Sequence, residues 1–402
     1  MNITDVGHLS SDADEGEDKM LASARERKMT VWEIAEFYTQ AFFNDCKMLN
    51  IERPTIVCKA TEHIDDMIKL IQRLEKNGFT YVSEGNVYFD ISKFPNYGKL
   101  ALLDMDELKA GSRIKIDPNK KNPYDFVLWF TKSKYEHHAM MWDSPWGKGY
   151  PGWHIECSAM SMKYLGEQFD IHCGGIDLSS VHHTNEIAQS EGATGKKWVD
   201  YWVHGEFLNM GKEKMSKSKG TFFTASEIVA LGIDSLDYRY FCLQGHYRSQ
   251  LQFTTDALES AHSARKNLIM RIDSLRKEAQ NIKENDDSPE NVSHYTAFID
   301  HTANDLNMPQ CMSDLWGLVK DETIGPGLKL KTIFEMDKIF GLGLQESKVD
   351  TDIEETARTL IADREEARKN KDFKRADSIR DELKKKGITI EDTPSGVRWR
   401  KE

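Results

Sequence analysis

Residues 169–212 constrain the chain most. "FDIHCGGIDL" is a short apolar run that breaks into Gly174-Gly175, and "WVDYWVHGEFLNM" is a second apolar run that delivers into a lysine-rich loop. Strand, glycine turn, helix, strand, loop is the grammar of a doubly wound α/β sheet, because parallel strands need a long, usually helical crossover. Ligands of such sheets sit beyond the carboxyl ends of the strands. The two glycines and the lysine loop fall at those ends.

The loop itself, "EKMSKSKGT" at 213–221, sets Lys214, Lys217 and Lys219 two or three residues apart, with Ser216, Ser218 and Gly220 between and after them. Lysine offers point charge to a polyphosphate, serine offers hydroxyl donors, and glycine lets the chain turn. A solvated charge run would not need Met215 or the small residues, yet on spacing alone it remains an alternative.

The chain has 402 residues, 39% hydrophobic and 30% charged, which is a soluble composition too long for one core, so two to four domains are expected. Its first twenty residues are acidic and polar, with neither a cationic-then-apolar leader nor a membrane-length apolar run; a cytoplasmic protein is expected. Six cysteines stand scattered. In a reducing compartment they raise the question of metal or catalysis rather than of disulfides. A net charge of −12 argues against a nucleic-acid binder only bluntly, since local potential decides.

Along the chain, "NITDVGHL" reads as the end of a buried strand. Trp32, Ile34, Phe37, Tyr38 and Phe42 have helical spacing. A cleaner helix carries Ile64, Met67, Ile68, Ile71 and Leu74, with Thr61 as its N-cap and Gly78 as its stop. "YVSEGNVYFDI" reads as a β-hairpin across Glu84–Asn86. Residues 92–150 read as a loop-rich insertion with several prolines. After 235 the pattern is helical to about 345, followed by a linker near 350, charged helices over 353–386 and a short terminal segment.

Four constellations carry chemistry. Cys157 joins "HHTNE", in which His182 and Glu186, four apart, share a helix face. Cys, His and Glu are zinc ligands, and three protein ligands with an open position is the catalytic-zinc arrangement. Each residue alone is as readily core, and His183 as readily a surface neighbour. In "HCGGID", Gly174 and Gly175 allow a ligand close to the backbone and Asp177 could bind a ribose hydroxyl; a plain turn is the alternative. Trp153, beside His154 and Cys157, could wall a pocket or simply be buried at a helix start. In the basic helix 364–386, Phe373 with Lys371, Lys374 and Arg375 could stack on single-stranded RNA, although a solvated face is the default.

In combination, "PGWHIECSAM", "FDIHCGGIDLSSVHHTNEIAQSEGA", "EKMSKSKGTFFT", "YFCLQGHYRSQLQFT" and "EDTPSGVRW" resemble the cysteinyl-tRNA synthetases, class I enzymes, in that family's order and over essentially the whole chain. The resemblance implies a Rossmann-like parallel sheet with an inserted subdomain, then an all-α bundle and a small C-terminal domain. It divides the chain at 1–60 and 151–212 for the two catalytic halves and 61–150 for the insertion. The lysine loop and stem-contact region follow at 213–245, the tRNA-binding bundle at 246–345 and the anticodon-region domain at 350–402. It implies activation of cysteine with ATP and Mg2+ to cysteinyl adenylate, then transfer to tRNA(Cys), by a monomer with no membrane role. Lys214 to Ser218 match the KMSKS loop. Lys214 and Lys217 would be catalytic, and Lys217, Ser216, Ser218, Gly174, Gly175 and Asp177 would bind ATP. Trp153, His172 and Thr4 would line the substrate pocket, and Cys157, His182 and Glu186 would hold Zn2+, which binds the substrate thiolate and so selects against serine.

Two features depart from the family. Its opening strand, with a fourth zinc ligand and the HIGH-type loop that forms half the ATP site, has no counterpart here, since "VGHLSS" is not such a loop. An N-terminal truncation is expected, with Met1 fitting an internal methionine. Cys173 stands where the family usually has glycine, either near the metal or as a tolerated turn residue. Two rival readings are a ligase joining cysteine to an amino sugar, whose relatives lack the anticodon domain, and a non-catalytic RNA-binding remnant.

Overall fold

A computed structural model describes residues 1–7, 19–102, 118–132, 140–210, 213–214, 224–230, 233–280, 288–346, 359–364, 366–368, 372–393 and 396–401. They fall into two compact units. The first comprises Met1–Lys47, Ile51–Lys219 and Tyr247–Gln252, and the second Met48–Asn50, Gly220–His246 and Phe253–Glu402.

In the first unit, β1 (Asn2–Ile3) pairs in parallel with β2 (Cys58–Lys59). Between them run α1 (Lys19–Arg27) and α2 (Val31–Met48). α2 is the helix its spacing predicts, but only Val31 and Ile34 are buried, while Trp32, Phe37, Tyr38 and Phe42 are exposed. Those aromatics are spread around the helix rather than along one stripe, so a single packing contact cannot cover them all.

α3 (Ile64–Lys76) buries Ile64, Met67, Leu70, Ile71 and Leu74. Ile68 packs at the edge of the same core. Gly78, at φ +81°, ends the helix as expected. The expected cap does not form. His63 precedes α3, and Thr61 instead donates its N–H and hydroxyl to the buried Asp5 carboxylate at 2.9 and 2.6 Å. A buried carboxylate needs donors more than an exposed helix end does, because water can satisfy the latter.

β3 (Thr80–Ser83) and β4 (Asn86–Phe89) form the expected hairpin, closed by Glu84 and Gly85 at φ +47° and +90°. The stretch read as loop-rich contributes two further strands, β5 (Phe126–Phe130) and β6 (Tyr150–Pro151), giving an antiparallel sheet ordered β3-β4-β5-β6. "FVLWF" is buried throughout, so its strand lacks the polar alternation that would announce it.

Gly152 then leads into α4 (Trp153–Leu165), where a Cβ would sit 2.1 Å from the Val127 carbonyl oxygen. β7 (Phe169–Gly175) passes through one helical turn and a π-turn (Ser179–His183) into α5 (Thr184–Thr194), and β8 (Val199–Gly205) returns parallel to β7. This is the strand–glycine–helix–strand unit anticipated from residues 169–212. α3, α4 and α5 pack on one another around one apolar core that includes Ile71, Ile155, Ala159 and Ala188. β9 (Leu208–Met210) and β10 (Glu213–Lys214) pair antiparallel.

The second unit is helical: α6 (Ser235–Leu243), α7 (Thr255–Ala279), α8 (Ser293–Ala303), α9 (Met308–Lys320) and α10 (Pro326–Phe340). Leu268, Ile272, Phe298, Leu315, Ile333, Met336 and Phe340 are buried. Buried Arg265 pairs with Asp234 at 3.0 Å and Asp237 at 3.2 Å, which offsets the cost of its own desolvation. Near the C-terminus, Ile379 and Leu383 of α11 (Phe373–Lys385) pack on Ile388 and Ile390 of an antiparallel hairpin, Ile388–Thr393 with Gly396–Lys401. The sequence reading had only a terminal segment there. Phe373 opens α11 and is exposed.

Candidate metal and amino-acid site

Three separate elements deliver the site. α4 carries Trp153, His154 and Cys157, the π-turn carries His182 and His183, and α5 carries Glu186. The extra residue of a π-turn re-aims side chains relative to a straight α-helix. Here it buries both adjacent histidines, so His183 is no surface neighbour.

Ligand-capable atoms of Cys157, His182 and Glu186 lie within 4.8 Å of one another, as do those of His172, His183 and Glu186. Glu186 stands between the two groups. Its Oε1 is 3.7 Å from His182 Nε2, and its Oε2 is 3.2 Å from His172 Nε2 and 3.9 Å from His183 Nε2. Glu186 is fully buried, yet neither oxygen accepts a well-aligned hydrogen bond. Burial opposes its charge, but the imidazoles of His182 and His172 hold the carboxyl below its usual range. Burial, reinforced by Glu186 and Glu156, pushes the Cys157 thiol well up. A buried carboxylate with no well-aligned donor, facing a cysteine sulfur, is an arrangement that a bound cation relieves. Soft sulfur with imidazole and carboxylate is the donor set of zinc, and these residues fit that ion.

Neighbours orient the donors. His154 Nδ1 and His182 Nδ1 lie 2.9 Å apart, leaving His182 Nε2 turned toward Glu186. His183 Nδ1 lies 2.8 Å from His204 Nε2. Burial depresses the His183 pKa to about 3, so its ring is neutral, and it lowers His204 as well. Asn2 donates from Nδ2 to Cys157 Sγ at 3.2 Å. Trp153 lies with its ring 4.5 Å from that of His182, and His172 lies 4.9 Å from Trp202 and 5.2 Å from Trp198. Imidazole and indole rings together make the floor on which the donor groups sit.

Gly174 and Gly175 close β7. A Cβ on Gly174 would meet His183 Cε1 at 2.6 Å, and one on Gly175 would meet Asp177 Oδ1 at 2.4 Å. The glycines therefore admit a ring and a carboxylate against the backbone. Cys173 is exposed, points away from His172 by strand alternation and belongs to neither donor group. Thr4 follows β1 and is exposed. Lys214 lies in β10, while Lys217, Ser216 and Ser218 lie outside the described residues.

Sequence reasoning missed His204 and Asn2 and left His154 and His183 undecided. His154 had a signal, standing three before Cys157 and thus on one helix face with it. His204 had a weaker one, alternating with Trp202 on a strand. Asn2 had none, because its partner is 155 residues away.

No helix among the described residues is long and apolar enough to cross a membrane. Residues 2–263 match the family of tRNA synthetases class I (C) catalytic domains, and residues 350–400 match the cysteinyl-tRNA ligase anticodon binding domain. The chain is 54% identical to the cysteine–tRNA ligase of Treponema denticola, covering 100% of this chain and 87% of that protein. It is 45% identical to that of Borrelia hermsii, covering 99% and 86%. Among solved structures, Mycobacterium tuberculosis methionyl-tRNA synthetase bound by methionyl-adenylate superposes with a TM-score of 0.53 at 14% identity, over 83% of this chain and 80% of that one. At that identity the likeness speaks for the fold, a class I synthetase core followed by a helical region. With both domain families matched in order and relatives of one name 54% and 45% identical across this chain, the chain belongs to the cysteinyl-tRNA synthetase family.

Proposed function

We propose that this chain is a cysteine–tRNA ligase that activates cysteine with ATP and transfers it to tRNA(Cys), acting as a monomer in the cytoplasm. The observation that carries the reading is the convergence of Cys157, His182 and Glu186 within 4.8 Å in a chain 54% identical to a protein of that name.

Cys157 Sγ, His182 Nε2 and the Glu186 carboxylate would hold zinc. When bound, the ion supplies a soft Lewis-acid site that favours a thiolate over a hydroxyl. The protein's part is orientation. With His182 Nε2 given to a metal, its Nδ1 carries the proton and donates to His154 Nδ1, which accepts as a neutral ring. Neutral His183 keeps further positive charge out of the floor. Trp153, His172 and Thr4 would bound the amino acid.

Gly174 and Gly175 would let adenosine approach the backbone, with Asp177 at its ribose. Lys214 and Lys217, helped by Ser216, Ser218 and Mg2+ carried with ATP, would neutralise charge on the phosphate as adenylate forms. That is catalysis by positioning and electrostatics. The helical unit and the C-terminal hairpin would hold the tRNA. The anticodon-domain match over 350–400 supports this reading against a cysteine:amino-sugar ligase, whose relatives lack that domain.

The test is cysteine-dependent exchange of pyrophosphate into ATP by the purified chain, with zinc measured on the same sample. Exchange above background, abolished in a Lys217→Ala variant, is the expected outcome. No exchange with zinc near stoichiometric would sink the catalytic reading and leave a metal-bearing RNA-binding protein.

A further inference from the structure

The sulfur of Cys157 faces the candidate metal group from α4, and two carboxyl side chains near it, Glu186 and Glu156, oppose a negative charge on it. A cysteine that ligates a metal does so as a thiolate, so donors around the sulfur help to decide how well it binds. Ser161, one turn further along α4, does not serve it. Its hydroxyl donates to the Cys157 carbonyl at 2.6 Å.

The donor comes from β1. Asn2 Nδ2 lies 3.2 Å from Cys157 Sγ. A carbonyl oxygen aimed at a charged sulfur would be repelled, so a thiolate selects the NH2 end of the amide. The backbone of Asn2 is fixed without this bond. Asn2 pairs with Cys58 and Ile3 with Lys59 of β2, and just beyond β1 the Asp5 carboxylate accepts the Thr61 N–H and hydroxyl. Asn2 is also exposed, so its hydrogen bond replaces one with water and adds little to stability, while it still acts on the sulfur.

We propose that Asn2 is a positioning residue of the metal centre, whose amide N–H stabilises charge on the Cys157 sulfur and so sets how tightly, and with what Lewis acidity, zinc is held there. The proposal rests on the metal reading given above. A sulfur that shares a lone pair with an N–H donates less charge to its ligated ion. More of the ion's Lewis acidity is then left for an incoming thiolate, the group by which cysteine differs from serine.

Cobalt(II) is the probe, because a cobalt–thiolate bond gives a sulfur-to-metal charge-transfer band. The full chain is titrated with cobalt, and zinc affinity is read by competition. The unmodified chain is expected to take up cobalt with that band, and Cys157→Ser to lose it. Asn2→Leu, which keeps the size and removes the donor, should move the band to lower energy and weaken zinc about tenfold. Asn2→Gln, which returns an amide at this exposed position, should recover most of both. Thr61→Val, which loosens the segment after β1 without touching the sulfur, should lower the urea midpoint and leave the band in place. An unshifted band with unchanged zinc affinity in folded Asn2→Leu would overturn the proposal and leave the metal reading standing. An equal shift in Thr61→Val would also overturn it, because Asn2 would then act only through the position of the strand. Absence of the band from the unmodified chain would overturn the metal reading and the proposal together.

Discussion

Glu186 is buried among three imidazoles and a thiol, and none of them gives it a well-aligned hydrogen bond. Replacing it with glutamine removes an anionic donor from the candidate metal group. Glu186→Gln is expected to lower zinc affinity about 100-fold or more, read by competition with a chromogenic chelator. His154 touches the group only through His182. His154→Ala should therefore cost about 10- to 100-fold in zinc affinity without loss of fold, and His154→Asn, which keeps a hydrogen-bonding side chain, should recover part of it. Gly174→Ala would push a methyl into His183. About 1–3 kcal/mol of stability should be lost in urea titration, with a rise in KM for cysteine. At this scale the sequence exposed residue types and the Cys157–His182–Glu186 grouping. It could not expose His204 or Asn2, whose partners are remote in the chain.

At the scale of elements, local chemistry wrote α3 and the β3-β4 hairpin clearly. Helical periodicity fixed the first, and two left-handed turn residues fixed the second. Gly85→Ala would strain φ +90° and place a Cβ 2.7 Å from Thr131 Oγ1, so a loss of about 1 kcal/mol or more is expected on chemical denaturation. In the same sheet, burial pushes the Asp125 carboxyl up, against the opposing pull of the Asn122 and Ile91 N–H groups and the Tyr81 hydroxyl. The folded state therefore holds this proton more tightly than the unfolded chain does. Stability is expected to fall as pH rises from the usual aspartate range through the raised pKa, and Asp125→Asn should flatten that slope in urea titrations from about pH 4 to 7. α2 was legible as a helix but not in its exposure, because periodicity reports spacing and not what packs against it. β5 was hidden because a strand buried on both faces carries no alternation.

For the whole molecule, a net charge of −12 sets no bar to tRNA binding if basic side chains collect on one face. Under the proposed function, tRNA affinity is expected to drop about tenfold or more between ~50 and ~200 mM salt in filter binding, as phosphate contacts release counterions. A flat salt profile would count against a phosphate-tracking surface. The sequence by itself determined the βαβ unit at 169–205, the helical character after 235 and the family, because glycine turns, apolar periodicity and motif order are local or linear properties. Tertiary structure alone decided that Glu186 stands between two donor groups, that His183 is buried with its pKa pushed down, and that Thr61 serves Asp5 rather than a helix. Each of these depends on distances between residues remote in the chain, and on the desolvation that only packing imposes.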